Sequence, residues 1–241
     1  MNTSDSQGPG LRPHERVDPF LDGRLKIIQS RRGYRFSVDA LHLSGFARIG
    51  AEDRVLDLGT GCGIIPLMLL LSGAASGVVG LEIQEDLASQ AFRNAALNGL
   101  EGKMAVVRGD LRQLPFEARS FDVVLCNPPY RKANSGRINP DRERAIARHE
   151  ILASLGDVLN AARWLLGGKG RLATIYPAER LTDLLVRMRG IGLEPKRLQA
   201  VHPSLDAPAK LVLVEGVCDG RPGLEILPPL VDQGGFSLPR P

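Results

Sequence analysis

The chain has 241 residues, of which 43% are hydrophobic and 24% are charged, with a formal net charge of +4 and a pI near 9.2. This length suits one α/β domain with a sizeable core. No apolar run reaches the roughly 18 residues of a bilayer span, and the three cysteines form no C-x-x-C pair, which argues against a disulfide framework or a zinc site. A cytoplasmic location is therefore expected, and the mild basic excess permits a polyanionic partner.

The first quarter of the chain contains few regular patterns. Residues 1–22 lack a signal-peptide core and a cleavage site, and we interpret them as a disordered tail. Short apolar segments on either side of residues 30–33 are typical of a hairpin, and residues 38–49 have apolar residues at helical spacing.

From residue 54 onward, apolar strands alternate with amphipathic helices, including predicted helices at 151–166 and 178–188. The seven predicted strands are RVLDLG (54–59), GVVGLEI (77–83), KMAVVRGD (103–110), FDVVLC (121–126), GRLATIY (170–176), LEPKRLQAVHP (193–203) and KLVLVEGV (210–217). Continuous apolar strands between helices indicate a parallel sheet covered on both faces, and the last two strands, joined only by a loop, are expected to pair antiparallel.

These elements predict a Rossmann-like, seven-stranded and mostly parallel sheet with helices on both faces and an antiparallel terminal hairpin. The predicted domain covers residues 23–218. Residues 219–241 are rich in Gly and Pro and are interpreted as an irregular segment.

The glycine loop, residues 57–63, follows the first strong strand as Asp57-Leu58-Gly59-Thr60-Gly61-Cys62-Gly63. Alternate glycines let the backbone approach a ligand at the N-terminus of the following helix, where open α/β sheets bind their ligands. The loop predicts a nucleotide-like ligand, and a tight turn that needs glycine for geometry alone is the alternative. The dinucleotide pattern G-x-G-x-x-G is not met, because the sixth residue from Gly59 is Ile64.

Acidic residues end the next two strands. Glu82 follows the loop by about 20 residues and can accept both hydroxyls of a ribose, a role that nicotinamide and adenosyl cofactors share. Asp110 can accept a hydrogen bond from an adenine amino group, and it can equally be a helix N-cap.

Asn127-Pro128-Pro129-Tyr130 ends the fourth predicted strand. The Asn127 carboxamide oxygen and the Pro128 carbonyl can accept the two hydrogens of a planar NH2 group, whose delocalised lone pair makes it a poor nucleophile. The two prolines fix the backbone, and the ring of Tyr130 can stack on a base or an amide plane. A rigid turn that only ends the strand is the alternative.

Together these features resemble the class I S-adenosylmethionine-dependent methyltransferases. The resemblance implies that the glycine loop holds the methionine portion of the cofactor, that Glu82 with the adjacent Ile83 holds the ribose, and that Asp110 lies near the adenine. Asn-Pro-Pro-Tyr resembles the signature of the amino-methylating branch, whose substrates are adenine N6, cytosine N4, guanine N2 or a glutamine amide. It places Asn127 against both the cofactor and the target amine, and no metal is implied.

Two further segments, GYRFSVDALHLSGF (33–46) and ARHE (147–150), resemble the bacterial valine-tRNA adenine-N6 methyltransferase family. This resemblance implies methyl transfer to adenine N6 in tRNA, with Phe36, Ser37 and Asp39 against the cofactor. Ser37 as an N-cap and Phe36 as a core residue are the alternatives.

Basic residues adjoin the predicted site, and we interpret Arg31, Arg35, Arg131 and Lys132 as contacts to RNA phosphates. A solvated loop is the alternative for residues 131–148. We predict no membrane partner and no obligate protein partner.

Competing functions remain open. Release-factor glutamine methyltransferases share the Asn-Pro-Pro-Tyr signature but carry an extra helical N-terminal domain, whereas only about 50 residues precede the first strong strand here. Guanine-N2 methyltransferases of ribosomal RNA usually have Phe in place of Tyr130. DNA adenine methyltransferases need a target-recognition domain. The complete glycine loop argues against an RNA-binding module without catalysis.

Overall fold

The computed structural model describes residues 10–31, 36–128 and 153–232. The strands within these ranges are β1 (Glu15–Phe20), β2 (Leu25–Ser30), β3 (Val55–Leu58), β4 (Val78–Glu82), β5 (Met104–Arg108), β6 (Phe121–Cys126), β7 (Leu166–Pro177), β8 (Leu193–His202), β9 (Leu211–Cys218), β10 (Glu225–Ile226) and β11 (Leu230–Val231). The helices are α1 (Val38–Phe46), α2 (Ile64–Leu71), α3 (Glu85–Leu97), α4 (Leu155–Leu165) and α5 (Leu181–Gly190).

The large sheet has the strand order β10-β8-β9-β7-β6-β3-β4-β5, and β11 also pairs with β8. Strands β3 to β7 pair in parallel, whereas β9 lies antiparallel between β7 and β8. This arrangement confirms the predicted Rossmann-like, mostly parallel sheet with an antiparallel terminal hairpin. The strand order reverses between β3 and β6, and such a switch point creates a crevice at the carboxyl ends of the strands.

Apolar residues cover both faces of this sheet. On one face, α1 and α2 pack with Leu43, Leu67 and Met68 fully buried, and on the other α4 and α5 contribute Leu165 and Leu184. Helix α2 is apolar on all sides, and seven of its eight residues are buried. Burial on this scale, at about 2 kcal/mol for each large side chain, holds the glycine loop and the start of α2 in place.

The N-terminal hairpin, formed by β1 and β2, corrects the prediction of a tail to residue 22. Residues 15–20 pair antiparallel with residues 25–30, with Glu15 opposite Ser30 and Phe20 opposite Leu25. The turn of this hairpin lies at residues 21–24, where Leu21 and Asp22 have left-handed backbone angles, and the turn predicted at residues 30–33 lies partly outside the described ranges. The folded domain therefore begins before residue 23.

The segment after residue 218 is also more ordered than predicted. Glu225 lies opposite Arg197, and Leu230 lies opposite Val201, so β10 and β11 both add in parallel to the edge of β8. The prediction of an irregular segment is wrong for these four residues, and residues 233–241 lie outside the described ranges.

Two predicted helices begin later than expected. Helix α4 starts at Leu155 because Ser154 forms a capping box with Asp157, in which each side chain bonds the backbone N–H of the other residue. Residues 178–180 form a 3-10 turn before α5. Within the described part of the chain, no helix combines the length and apolarity that a membrane span requires.

Candidate active site

The registers of the parallel strands bring three predicted site residues to one edge of the sheet. Leu58 at the end of β3 lies opposite Leu81 in β4 and opposite Cys126 in β6. The residues that follow or end these strands, Gly59, Glu82 and Asn127, therefore meet at the carboxyl edge. This edge contains the switch point, where a ligand is expected in a doubly wound sheet.

The glycine loop is held by its own backbone hydrogen bonds. The N–H groups of Gly59 and Thr60 both donate to the Leu81 carbonyl, at 2.9 and 3.0 Å, and the Gly63 N–H donates to the Thr60 carbonyl at 2.9 Å. Gly59, Gly61 and Gly63 all have positive φ angles. These conformations favour glycine strongly, so the turn geometry itself explains part of the glycine pattern.

The space around Gly63 and Gly59 distinguishes a glycine in close packing from one that leaves room for a ligand. A Cβ atom on Gly63 would lie 2.6 Å from the terminal methyl of Met104 and 3.2 Å from the Cβ atom of Ala91, so the chain is closely packed there. A Cβ atom on Gly59 would meet no other heavy atom within 4 Å. The loop is thus packed where α2 begins and open where the chain leaves β3.

Asp57 is a fully buried carboxylate at the end of β3. The Thr60 hydroxyl lies beside this carboxylate, but within the part of the chain that the structure describes neither the hydroxyl nor either Asp57 oxygen makes a hydrogen bond of good geometry. Burial raises the pKa of Asp57 to about 7, the Thr60 side chain opposes this rise, and the nearby Glu82 carboxylate adds to it. A buried charge without partners is costly, so these atoms fit a ligand that brings hydrogen-bond donors and positive charge.

Glu82 ends β4 with both carboxylate oxygens in use. Oε2 accepts from the Gly61 N–H and Oε1 accepts from the Gln84 N–H, each at 2.9 Å. Burial raises the pKa of Glu82, and these two N–H groups counter the rise. Each oxygen retains a second lone pair, so the fixed carboxylate can still accept from a pair of ligand hydroxyls. The adjacent Ile83 is half-buried.

Asp110 lies next to this strand end, because the neighbouring Gly109 N–H donates to the Glu82 carbonyl at 3.0 Å. Its carboxylate accepts from the Arg112 backbone N–H at 2.9 Å and pairs with the Arg112 guanidinium at 2.6 Å. Arg112 lowers the pKa of Asp110. Asp110 therefore caps a local turn, and it also stands within the predicted site.

Asn127 and Pro128 are the described part of the Asn-Pro-Pro-Tyr signature. The Thr174 hydroxyl donates to the carbonyl of the preceding Cys126 at 2.9 Å, which fixes the end of β6. Pro128 is buried and Asn127 is half-buried. The Asn127 carboxamide has no hydrogen-bond partner within the described ranges. Pro129, Tyr130, Arg131 and Lys132 lie outside them.

The pre-strand residues were predicted to contact the cofactor. The Phe36 ring stacks edge-on against Phe20 at 5.4 Å between ring centroids, which fits its alternative role in the core. Ser37 occupies the N-cap position of α1 without a side-chain cap bond, and Asp39 lies in the first turn of that helix.

The proposed RNA contacts near the N-terminus are only partly described. Arg31 follows β2 and donates from Nε to the Glu15 carbonyl at 3.0 Å. Its side chain therefore braces the hairpin. Arg35 lies outside the described ranges.

Asn94 was not predicted. It lies on α3, is fully buried, and donates to the carbonyl of Cys62 in the glycine loop at 2.9 Å. The available signal was the pair Asn94 and Asn98, four residues apart on the helix and beside the buried Ala91 and Ala95. Asparagine so close to a buried helical face requires a specific partner.

The strand order, the glycine loop, the unpaired Asp57 and the fixed Glu82 define a class I S-adenosylmethionine-dependent methyltransferase. The residues fit this cofactor, because the unpaired carboxylate suits its cationic methionine end and Glu82 suits its ribose.

Comparison with known proteins specifies the family. A methyltransferase domain model matches residues 55–147. The tRNA1(Val) (adenine(37)-N6)-methyltransferase of Parabacteroides distasonis is 34% identical over 81% of this chain and 82% of its own length. That of Porphyromonas gingivalis is 32% identical, over 83% and 80% respectively. The chain belongs to this family of N-methyltransferases.

Solved structures share the fold at low identity. A predicted O-methyltransferase from Agrobacterium tumefaciens superposes with a TM-score of 0.63 at 18% identity, covering 83% of this chain and 91% of that one. The geranyl diphosphate C-methyltransferase of Streptomyces coelicolor, in complex with S-adenosyl-L-homocysteine, gives a TM-score of 0.53 at 14% identity, covering 74% of each chain.

Proposed function

We propose that this protein transfers the methyl group of S-adenosylmethionine to the exocyclic N6 of an adenine in tRNA, in the cytoplasm. The observation that carries the proposal is Asn127. Its carboxamide is half-buried, has no partner among the described residues, and follows β6 directly across the switch point from the unpaired Asp57. The tRNA substrate comes from the names of the relatives at 34% and 32% identity.

The chain's own residues bind and orient the reactants in this scheme. Asp57 holds the methionine portion of the cofactor, Glu82 holds its ribose, and Asp110 contacts its adenine. When bound, the cofactor supplies a methyl group activated by a positively charged sulfur. The glycine loop, fixed by the Leu81 carbonyl, sets the position of that group relative to β6.

Asn127 and the Pro128 carbonyl orient the acceptor amine. Each accepts one hydrogen of the planar NH2 group, which turns the nitrogen lone pair toward the methyl group. Both oxygens are neutral acceptors, so their contribution is alignment of the in-line transfer, after which the methylated nitrogen releases one proton to solvent. The buried Thr174 hydroxyl on the Cys126 carbonyl keeps this strand end rigid.

The adenine has to leave its stack to reach this edge, which favours a single-stranded loop of the RNA. We assign stacking of the extruded base to Tyr130 and phosphate contacts to Arg131, Lys132, Arg31 and Arg35. Phosphate contacts add affinity without sequence selection, so we expect tRNA binding to weaken steeply as salt increases.

A labelling experiment tests the proposal. The protein is incubated with methyl-labelled S-adenosylmethionine in four separate reactions, each with one candidate substrate. These are unmodified tRNA1(Val) transcript, the same transcript carrying guanine at position 37, ribosomal RNA and a release factor. Label in N6-methyladenosine from the unaltered transcript alone supports the proposed function. Label in N5-methylglutamine or N2-methylguanosine would replace it with one of the competing functions.

A further inference from the structure

Asn94 on α3 and Asn98, the residue that caps the C-terminus of α3, bind the backbone of β2 in the same way. The Asn98 carboxamide accepts from the Lys26 N–H at 2.9 Å and donates to the Lys26 carbonyl at 2.8 Å. The Asn94 carboxamide accepts from the Ile28 N–H at 2.6 Å and donates to the Ile28 carbonyl at 3.2 Å. Each side chain thus replaces one residue of a neighbouring strand.

The spacing of the two elements explains why this double contact forms. Residues four apart on a helix are separated by about 6 Å along its axis, and residues two apart on a strand by about 6.6 Å. Lys26 and Ile28 present their N–H and C=O groups on the same edge of β2, because strand residues alternate in direction. Asn94 and Asn98 satisfy this edge, and β1 pairs with the other.

Each asparagine has a third hydrogen bond, but only that of Asn94 reaches the glycine loop, because Asn98 donates to the Asn94 carbonyl at 2.7 Å. The second amide hydrogen of Asn94 points to the Cys62 carbonyl at 2.9 Å. The other polar group of the same peptide unit, the Gly63 N–H, donates to the Thr60 carbonyl at 2.9 Å. Both sides of the Cys62–Gly63 peptide are therefore held, and the left-handed φ of Gly63 follows directly after it.

We propose that Asn94 is a positioning residue for the cofactor: it locks the Cys62–Gly63 peptide of the glycine loop to the N-terminal hairpin. Through this bond the hairpin becomes part of the cofactor site without touching the ligand. Asn98, at the C-cap of α3, makes the same contact to the hairpin without reaching the loop, so it is the control position. The inference rests on the cofactor of the proposed function, and its binding and exchange tests need no tRNA, whereas its kinetic test uses the tRNA substrate.

The test compares Asn94→Ala with Asn98→Ala in the full-length chain. Calorimetry measures the Kd for S-adenosylhomocysteine, and hydrogen exchange of the protein without ligand measures the amides of residues 59–64. We expect Asn94→Ala to raise the Kd about tenfold, because an unsatisfied buried carbonyl loosens the loop. We expect Asn98→Ala to change the Kd less than twofold, and faster exchange in the loop only for Asn94→Ala.

Steady-state kinetics separates positioning from a general loss of folding. Asn94→Ala is expected to raise the KM for S-adenosylmethionine while kcat at saturating cofactor falls less than threefold. Equal Kd changes in the two variants, or a lowered Tm in Asn94→Ala with unchanged Kd and exchange, would overturn the inference. If Asn94→Ala does not fold, Asn94→Ser keeps one hydroxyl donor and undergoes the same comparison. Failure of wild-type protein to bind S-adenosylhomocysteine would instead refute the cofactor.

Discussion

Glu15 in the N-terminal hairpin and Asp57 in the glycine loop are both buried carboxylates, and the fold treats them in opposite ways. The Arg93 guanidinium donates to both oxygens of Glu15 at 2.6 Å, and Gln90 adds a bond at 3.1 Å. Arg93 is the main reason that the pKa of Glu15 is lowered to about 2, whereas burial raises the pKa of Asp57 to about 7. Glu15 is therefore a charged group that stabilises the fold, whereas Asp57 is a group available to a ligand.

The two groups also give opposite responses to pH. Glu15 stabilises the folded chain above its unfolded pKa near 4.5, and this stabilisation is lost as the pH falls toward 2. Asp57 stays protonated in the folded chain up to about pH 7, so its ionisation destabilises the protein without ligand as the pH rises from 3.8 through 7. A bound cation would remove the second effect and leave the first unchanged.

The largest effect on activity is expected at Asn127, which is a neutral hydrogen-bond acceptor and not a carboxylate. We expect Asn127→Ala to lower kcat by about 100-fold or more, because a positioned polar group in the transition state has that magnitude. The Kd for S-adenosylhomocysteine should stay within about threefold. Single-turnover transfer to tRNA and calorimetry measure the two quantities, and near-normal turnover would refute the assigned role.

Substitution of Asp57 tests whether its buried carboxylate serves ligand binding. We expect Asp57→Asn to weaken S-adenosylhomocysteine binding by about tenfold, because a charge-assisted hydrogen bond is lost. The same change should raise the Tm of the protein without ligand by about 5 °C at pH 8, since a buried charge is removed.

The pH dependence supplies the control for this substitution. The gain in Tm should shrink as the pH falls from 7 toward 4, where wild-type Asp57 is protonated. The half-buried Asp122, which pairs with Arg54, is the control position, and Asp122→Asn should alter neither the Kd for S-adenosylhomocysteine nor the pH dependence of that Kd. A constant Tm difference across this range would contradict the account of Asp57.

Substitution of the satisfied carboxylate tests the structural side. We expect Glu15→Gln to lower the free energy of unfolding by about 3 kcal/mol at pH 7, because Arg93 loses its buried partner. The loss should disappear near pH 2, and urea unfolding measures both. The exposed pair of Glu85 with Arg108 offers the control, where Glu85→Gln should cost at most about 0.5 kcal/mol.

The smallest effect is expected at Asp110, which is paired with an arginine, as Glu15 is, and lies in the predicted cofactor site, as Asp57 does. Its carboxylate is already paired with Arg112 and partly exposed, so Asp110→Asn should raise the Kd for S-adenosylhomocysteine only about threefold. Arg112→Met frees the carboxylate and should leave the affinity equal or slightly higher. A loss of affinity in Arg112→Met would mean that the arginine, and not Asp110, contacts the ligand.

The parallel sheet was predictable because its strands are short, continuous apolar runs with helices between them. Val55 to Leu58 and Val123 to Cys126 are buried throughout, and such runs need no distant information to be recognised. The glycine loop and Glu82 were predictable for a related reason, since their spacing after each strand is local. The edge at which they meet follows directly from the parallel register.

The N-terminal hairpin and Asn94 depend on contacts that no local pattern contains. In ERVDPF the buried residue at the start is charged, and its partner Arg93 lies 78 residues away. In the sequence, Asn94 looks like any polar residue of an amphipathic helix. Its role follows only from its contacts with Ile28 and Cys62 in the folded chain. Strands β10 and β11 are too short for any periodicity, and they exist because β8 offers an open edge.

The bonds of Asn94 have a consequence for how the protein is made. As the chain leaves the ribosome, the hairpin emerges first and the glycine loop next, but the residue that joins them follows Cys62 by 32 positions and Ile28 by 66. Contacts so far apart in the sequence form only after the entropy cost of closing the intervening loop has been met. We therefore expect the ability to bind cofactor to arise late in folding, when α3 docks, although most of the loop's residues are synthesised well before it.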